Sequence, residues 1–205
     1  MAPQEQPLKY DKGGNEKRMY QKAFITRMTI RSSPSMGAQL NEARTKAIKS
    51  MGFASFLNVD LKEVPEKFSK WLVESFDLYS ASFVLLDRQR FTVTSFDVYV
   101  TLGVTTRGRE TMEITRSSMN KAYDEVHAAW VKEWKIEHNA PKLTRMWEFI
   151  PAKKDGGESF KRNFIIYLLN CFFRGPNNRY CSKSILKYVK EMNQIASLDW
   201  CKYCT

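Results

Sequence analysis

Apolar residues recur every three or four positions along much of this chain, which is the spacing of one buried face of an α-helix. In 118–135, for example, Met119, Val126, Trp130 and Trp134 follow this spacing. Glycine or proline stands at or just beyond several of the predicted ends, where helices commonly stop. The predicted helices are 40–50, 65–76, 94–102, 118–135, 142–149, 158–174, 182–192 and 197–203.

A short β element interrupts this helical pattern. The runs 82–86 and 90–93 are separated by the polar residues 87–89, which predicts a β-hairpin. Thr94 and Asp97 then have the spacing of a capping box at the start of a helix. Three apolar residues of that helix are predicted to point inward: Phe96, Val100 and Leu102. The predicted fold class is therefore mainly α, a multi-helix globular domain with one small β-hairpin.

Composition divides the chain into a tail and a folded region. Residues 1–38 have weak apolar periodicity and many glycines, serines and prolines, so we predict a flexible basic N-terminal tail. Hydrophobic residues make up 43% of the whole chain and aromatic residues 13%, which is enough to build a core. We predict one helical domain over 39–205, with 151–157 and 104–116 as loops.

Targeting signals are lacking in the sequence as it stands. The longest apolar stretch, 164–173, has the length of a buried helix rather than of a membrane span. The first residues, Met-Ala-Pro-Gln-Glu-Gln, contain no apolar segment typical of a secretory signal. An intracellular protein with reduced cysteines, and no membrane partner, is the expectation.

Five short motifs occur in a distinctive order, at 52–57, 71–77, 91–103, 160–164 and 199–202. This order resembles the plant mobile domain, a family also labelled aminotransferase-like. It also resembles the related uncharacterised domain that precedes SUMO-protease-type domains in plant Mutator-like transposons. The resemblance covers the chain from about residue 39 and implies a plant nuclear setting, transposon ancestry and no catalytic residues. Such families usually continue beyond the last motif, so the resemblance implies a fragment, a gene truncated at its C-terminus or an isolated domain.

Reactive side chains do not form a recognisable catalytic or metal-binding pattern. Cys201 and Cys204 form one Cys-x-x-Cys pair, but Cys171 and Cys181 do not form the second pair that a zinc site needs. His127 falls next to the apolar stripe of its predicted helix, as a surface or boundary residue. No glycine-rich phosphate cradle follows a predicted strand. We therefore predict no enzyme activity, no metal and no cofactor.

The net charge of +11 is concentrated at the two ends of the chain, and 151–205 alone contains ten Lys and Arg against four Asp and Glu. Lys183, Lys187 and Lys190 would share one face of the predicted helix 182–192, opposite its apolar residues. Such a face is either ordinary solvated surface or a contact for nucleic-acid phosphates. The candidate nucleic-acid-binding residues are Lys161, Arg162, Arg174, Arg179, Lys183, Lys187 and Lys190.

Two functional hypotheses follow from these patterns. The first is a non-enzymatic interaction domain, derived from a transposon, that binds protein partners in the nucleus. The alternative is direct, sequence-nonspecific binding of DNA or RNA through the basic C-terminal helices and the N-terminal tail. The sequence alone does not fix the oligomeric state.

Overall fold

A computed structural model describes residues 40–58, 66–77, 79–109, 121–173 and 180–204 of the chain. The fold is mainly α with a small antiparallel sheet, which confirms the predicted fold class. The α-helices are α1 (Glu42–Ser50), α2 (Glu66–Ser75), α3 (Ser95–Leu102), α4 (Lys121–Trp134), α5 (Leu143–Ala152), α6 (Glu158–Leu168) and α7 (Trp200–Cys204). The strands are β1 (Phe76–Asp77), β2 (Ser82–Val84) and β3 (Arg90–Phe91). Shorter turns of helix are the 3₁₀ segments Ala54–Asn58, Lys183–Tyr188 and Met192–Ser197 and the π-helical segment Leu169–Phe173.

Residues typical of helix ends stand at both ends of helix α1. The Asn41 side chain accepts a hydrogen bond from the Arg44 backbone N–H at 3.0 Å, as an N-cap residue does. Gly52 follows the helix with a φ of +85°, a conformation that glycine adopts without a side-chain clash. The turn leads into the 3₁₀ segment that buries Phe56 in the core. The residues that follow Gly52 therefore form one short helix.

The sheet has three strands, one more than the predicted hairpin. Strand β2 pairs with β3, and β1 adds to the other side of β2 with Phe76 opposite Phe83. The Arg90 guanidinium, on β3, donates to the Asp77 carboxylate, on β1, at 2.8 Å, and so spans the sheet. Strand β1 has two residues, which is too short for an alternating pattern to appear in the sequence.

Helix α3 has its predicted capping box, with the Asp97 carboxylate accepting from the Thr94 N–H at 2.8 Å. Gly103 ends the helix in the left-handed conformation, as expected. The prediction that Phe96 and Val100 point inward is wrong, because their side chains are 67% and 65% exposed. The helix is apolar on nearly every side, so periodicity did not identify the face that packs on the core, which carries Val98.

The central core is built on α4, α5 and α6. Trp130, Trp134, Met146 and Ile150 are buried there together with seven of the eleven residues of α6. Only residues from 121 of the predicted helix 118–135 lie in the described part of the chain. Helix α5 extends to Ala152 and includes Pro151, so the predicted loop 151–157 is shorter than expected. Within the described segments, no helix has the length and apolarity needed to cross a membrane.

The predicted α-helix 182–192 is wrong. Two 3₁₀ segments, Lys183–Tyr188 and Met192–Ser197, occupy this region. The Asn170 side-chain oxygen accepts from the Ser182 N–H at 2.9 Å and fixes where the segment starts. Ile185, Leu186, Tyr188 and Val189 are all buried, which is more of the circumference than one α-helical face provides. A 3₁₀ path places these side chains in the core instead.

The predicted exposed loop 104–116 is only partly correct. Val104 is fully buried, and the Cys201 N–H donates to the Thr105 carbonyl at 3.1 Å. Further along, the Arg109 N–H donates to the Ser197 carbonyl at 3.0 Å. The described part of this loop therefore lies against the C-terminal segment, while 110–116 fall outside the described residues.

Candidate functional site

Two of the predicted basic residues, Lys187 and Lys190, line one shallow hollow at the surface. The hollow lies between the start of the loop after α3 and the C-terminal 3₁₀ segments. Its lining residues are Arg109, Lys187, Tyr188, Lys190, Glu191, Gln194 and Leu198. We call this feature the basic hollow, because it contains three cationic side chains and one carboxylate.

The other predicted basic residues are not part of this lining. Lys161 and Arg162 are on α6, where the Arg162 side chain is only 12% exposed and lies 3.8 Å from the Glu158 carboxylate. Such a guanidinium is poorly placed to meet an external phosphate. Lys183 is half-buried at the start of its 3₁₀ segment. Arg174 and Arg179 lie outside the described residues.

Arg109 is the member of the basic hollow that sequence reasoning missed. A backbone bridge between Arg109 and Leu198 holds it beside the C-terminal segment, and its guanidinium donates to the Gln194 side chain. Gly108 permits this approach, because a Cβ there would lie 2.1 Å from the Ser197 carbonyl oxygen. In the sequence, a glycine before an arginine only weakly indicates a binding residue, and no local spacing connects position 109 with position 187.

The basic hollow has chemistry suited to anions. The Lys187 ammonium lies 5.1 Å from the centre of the Tyr188 ring, which is a cation–π distance, and the ring itself is buried. Ammonium and guanidinium groups are the usual donors to phosphate oxygens. Glu191 opposes this charge, so the lining has a net excess of positive charge.

The three cysteines whose side chains the structure describes pack as apolar side chains. Burial raises the pKa of Cys171 to about 12 and also raises the pKa values of Cys181 and Cys201. The Cys181 sulfur lies 2.8 Å from the Met146 sulfur in the core. A thiol with a raised pKa is protonated at neutral pH and reacts poorly. Among the described residues, no three His, Cys, Asp or Glu side chains are grouped so that they could hold a metal ion.

Exposed large apolar side chains are confined to a single stretch of the described chain, from Phe68 to Val100. Two of them, Tyr79 and Leu86, stand alone at turns, which is normal for a protein surface. The others come from α2, β3, α3 and the link between β3 and α3. We define the apolar surface by six of these residues: Phe68, Trp71, Phe91, Phe96, Tyr99 and Val100.

The geometry of the apolar surface follows from its elements. Phe68 and Trp71 stack on α2 with ring centres 5.9 Å apart, and Phe96 and Tyr99 lie 6.4 Å apart on α3. Phe91 is opposite Phe83 of β2, the strand on which α2 packs. Phe91 and Phe96 are five residues apart in the chain, so their Cα atoms can be at most about 17 Å apart.

This part of the chain is peripheral to the core. Among the described residues from 66 to 97, none belongs to the hydrophobic core or packs against it. Helix α3 packs on the core only through its inner side, which carries Val98 and Leu102. The aromatic rings of the apolar surface are therefore not needed to fill the protein interior.

The described residues form a mainly α domain that carries the basic hollow and the apolar surface. The chain belongs to the family described as "Domain of unknown function (DUF8566)", whose model matches residues 26–205. Comparisons with curated proteins and with solved structures gave no match.

Proposed function

We propose that this chain is a non-enzymatic interaction domain that binds a protein partner through the apolar surface. The observation that carries the proposal is the confinement of the exposed large apolar side chains to 68–100 in the described chain. Contiguous exposed apolar surface is costly in water and marks contact sites for other molecules. Phe68, Trp71, Phe96 and Tyr99 are the aromatic type that dominates the binding energy of protein interfaces.

The proposed setting is a plant nucleus, with descent from a transposon. This part of the proposal is supported by the resemblance of the five motifs to plant mobile domains. The absence of a catalytic role is supported by the protonated, packed thiols among the described residues. It agrees with the character of the two surfaces, which are suited to binding.

The test is affinity purification of the tagged full chain from plant nuclear extract, with and without nuclease. Trp71→Ser and Phe96→Ser are the test variants, and Tyr79→Ser is the matched control because its ring is fully exposed at a turn. Proteins that stay after nuclease, and are lost only with the test variants, would support the proposal. Retention that is equal for all variants, or that disappears with nuclease, would contradict it.

The alternative is sequence-nonspecific binding of DNA or RNA. The specific observation in its favour is that Lys187, Lys190 and Arg109 share the basic hollow. Each phosphate neutralised adds about 0.9 to the slope of log affinity against log salt on duplex DNA. A triple variant with Lys183, Lys187 and Lys190 changed to Glu should lower both affinity and slope. No binding of the unmodified chain at low salt would reject the alternative.

A further inference from the structure

We infer that the partner of the apolar surface is a second copy of this chain, in a two-fold dimer with α2 packed against α2. This inference depends on the proposed function, because it names the occupant of the same surface. Three independent properties of residues 66–100 support it: their net charge, the apolar area that they expose, and the order of charged residues along α2.

The charge of this region suits contact between identical chains. Residues 66–100 contain four Lys and Arg and five Asp and Glu, a net charge of −1. The rest of the chain contains 29 Lys and Arg and 17 Asp and Glu, a net charge of +12. Two copies with a charge of +11 each repel one another over most of their surfaces. The region around the apolar surface is where that repulsion is weakest, and a nucleic acid would be least attracted to it.

The exposed apolar area is of the size that a homodimer uses. The five aromatic side chains of the apolar surface are about half exposed on average, from 37% at Trp71 to 67% at Phe96. With about 200 Å² for each whole side chain, they expose roughly 500 Å² together. A stable interface buries about 800 Å² per partner, and about 65% of a homodimer interface is apolar. An interface centred on α2 that also includes the aromatic side chains of β3 and α3 would therefore have the apolar area that one subunit must contribute.

Charged residues along α2 are arranged so that the helix complements itself. Lys67 and Lys70 precede Trp71, and Glu74 follows it on the same side of the helix. Lys70 and Glu74 are 63% and 51% exposed, with 3.8 Å between their charged groups. A two-fold axis perpendicular to α2 at Trp71 makes the two α2 helices antiparallel. Lys67 of one subunit, which is exposed, then lies next to Glu74 of the partner subunit, at the rim of the apolar contact.

The first experiment measures the molar mass of the full chain by sedimentation equilibrium over a wide concentration range. The expected result is a reversible equilibrium between monomer and dimer. Phe68→Ser and Trp71→Ser should each shift it to the monomer, with a dissociation constant at least about thirtyfold larger, as for a hot-spot residue (about 2 kcal/mol or more). Tyr79→Ser should leave it unchanged. A chain that is monomeric at every concentration, or a dimer insensitive to both test variants, would overturn the inference.

The second experiment exchanges charges between subunits. Lys67→Glu alone and Glu74→Lys alone each place like charges at both rim contacts, so each variant should dimerise roughly tenfold more weakly (two contacts at about 0.5–1 kcal/mol each). An equal mixture of the two variants restores opposite charges at both contacts in the mixed dimer and should associate like the unmodified chain. Contacts within one α2 helix do not produce this recovery. A mixture no stronger than its components would overturn the antiparallel arrangement.

These outcomes are distinguishable from failure of the proposed function. A monomeric chain that still loses nuclear protein partners on Trp71→Ser would refute the dimer while leaving the proposed function in place. A dimer that depends on Trp71, with no other protein partner retained, would support the dimer and identify the second copy as the partner.

Discussion

Asn163 is predicted to be the polar residue on which the central core depends most. Its side-chain oxygen accepts from both buried indoles, at 3.0 Å from the Trp130 nitrogen and 2.8 Å from the Trp134 nitrogen. Its amide nitrogen donates to the Glu133 carboxylate at 3.1 Å and to the Ser159 carbonyl at 2.9 Å. One fully buried side chain therefore satisfies donors from α4 and acceptors from α4 and α6.

Asn163→Leu removes this hydrogen-bonding group while closely preserving its shape. Two indole N–H groups then stay buried without their acceptor, and each such group costs about 1–3 kcal/mol. The Glu133 carboxylate keeps the Ser159 hydroxyl and the Lys153 ammonium, 3.5 Å away, so it contributes less to the loss. We expect the free energy of unfolding to fall by about 2–6 kcal/mol, a large part of a typical total of about 5–15 kcal/mol.

The assay is urea denaturation of the full chain followed by far-ultraviolet circular dichroism. Asn193→Leu is the matched control, because Asn193 is exposed and its replacement should change stability by less than about 0.5 kcal/mol. A double-mutant cycle with Trp134→Phe adds specificity. Once the indole donor is gone, loss of Asn163 should cost roughly 1–3 kcal/mol less than it does in the unmodified chain.

Two results would refute this reasoning. If Asn163→Leu destabilised the chain no more than Asn193→Leu, the indoles would not depend on this acceptor. If the losses from Asn163→Leu and Trp134→Phe were simply additive, the hydrogen bond between these residues would not be the origin of the loss.

Three further predictions concern the backbone, the sheet and the thiols. Gly156→Ala should lower the free energy of unfolding by about 2 kcal/mol or more in the same assay. The reason is that φ at Gly156 is +63° and an added Cβ would lie 2.7 Å from a backbone oxygen of α1. A loss below about 0.5 kcal/mol would contradict this prediction. Hydrogen bonds led by Arg90 lower the pKa of Asp77 from 3.8 to about 2, so their contribution to stability is present above pH 3.8 and is lost as the pH falls toward 2. An NMR titration should show the pKa of Asp77 rising toward 3.8 in Arg90→Ala, and an unchanged pKa would be contrary evidence. Cys171 and Cys181 should alkylate much more slowly in the folded chain than in urea, measured by peptide mass spectrometry, and equal rates would refute their burial.

Elements defined by local contacts were predictable from the sequence. Helix α1, the hairpin of β2 and β3, and the capping box of Thr94 and Asp97 all depend on residues a few positions apart. The long apolar run of α6 also identified the most buried helix correctly. In each case the spacing itself carries the physical cause, which is a cap, a turn or one buried face.

Features that depend on distant contacts were not predictable in this way. The path of 182–192 depends on Asn170 and on burial around most of the segment, so a helical spacing was misleading. The basic hollow needs Arg109 beside Lys187, and only the fold brings these positions together. Two of the three lysines of the predicted face, Lys187 and Lys190, nevertheless line the hollow.

The exposure of Phe96 and Val100 has a consequence for testing the proposed function. Sequence reasoning placed both side chains in the core, where a change to a polar residue would destabilise the fold. They are instead mostly exposed, and no described residue from 66 to 97 packs on the core. Phe96→Ser therefore removes little buried area and should leave the free energy of unfolding of the core almost unchanged. Trp71 is only 37% exposed, so Trp71→Ser also removes packing, but between α2 and the sheet rather than in the core. A loss of binding without a loss of stability in these variants would assign the apolar surface to a partner.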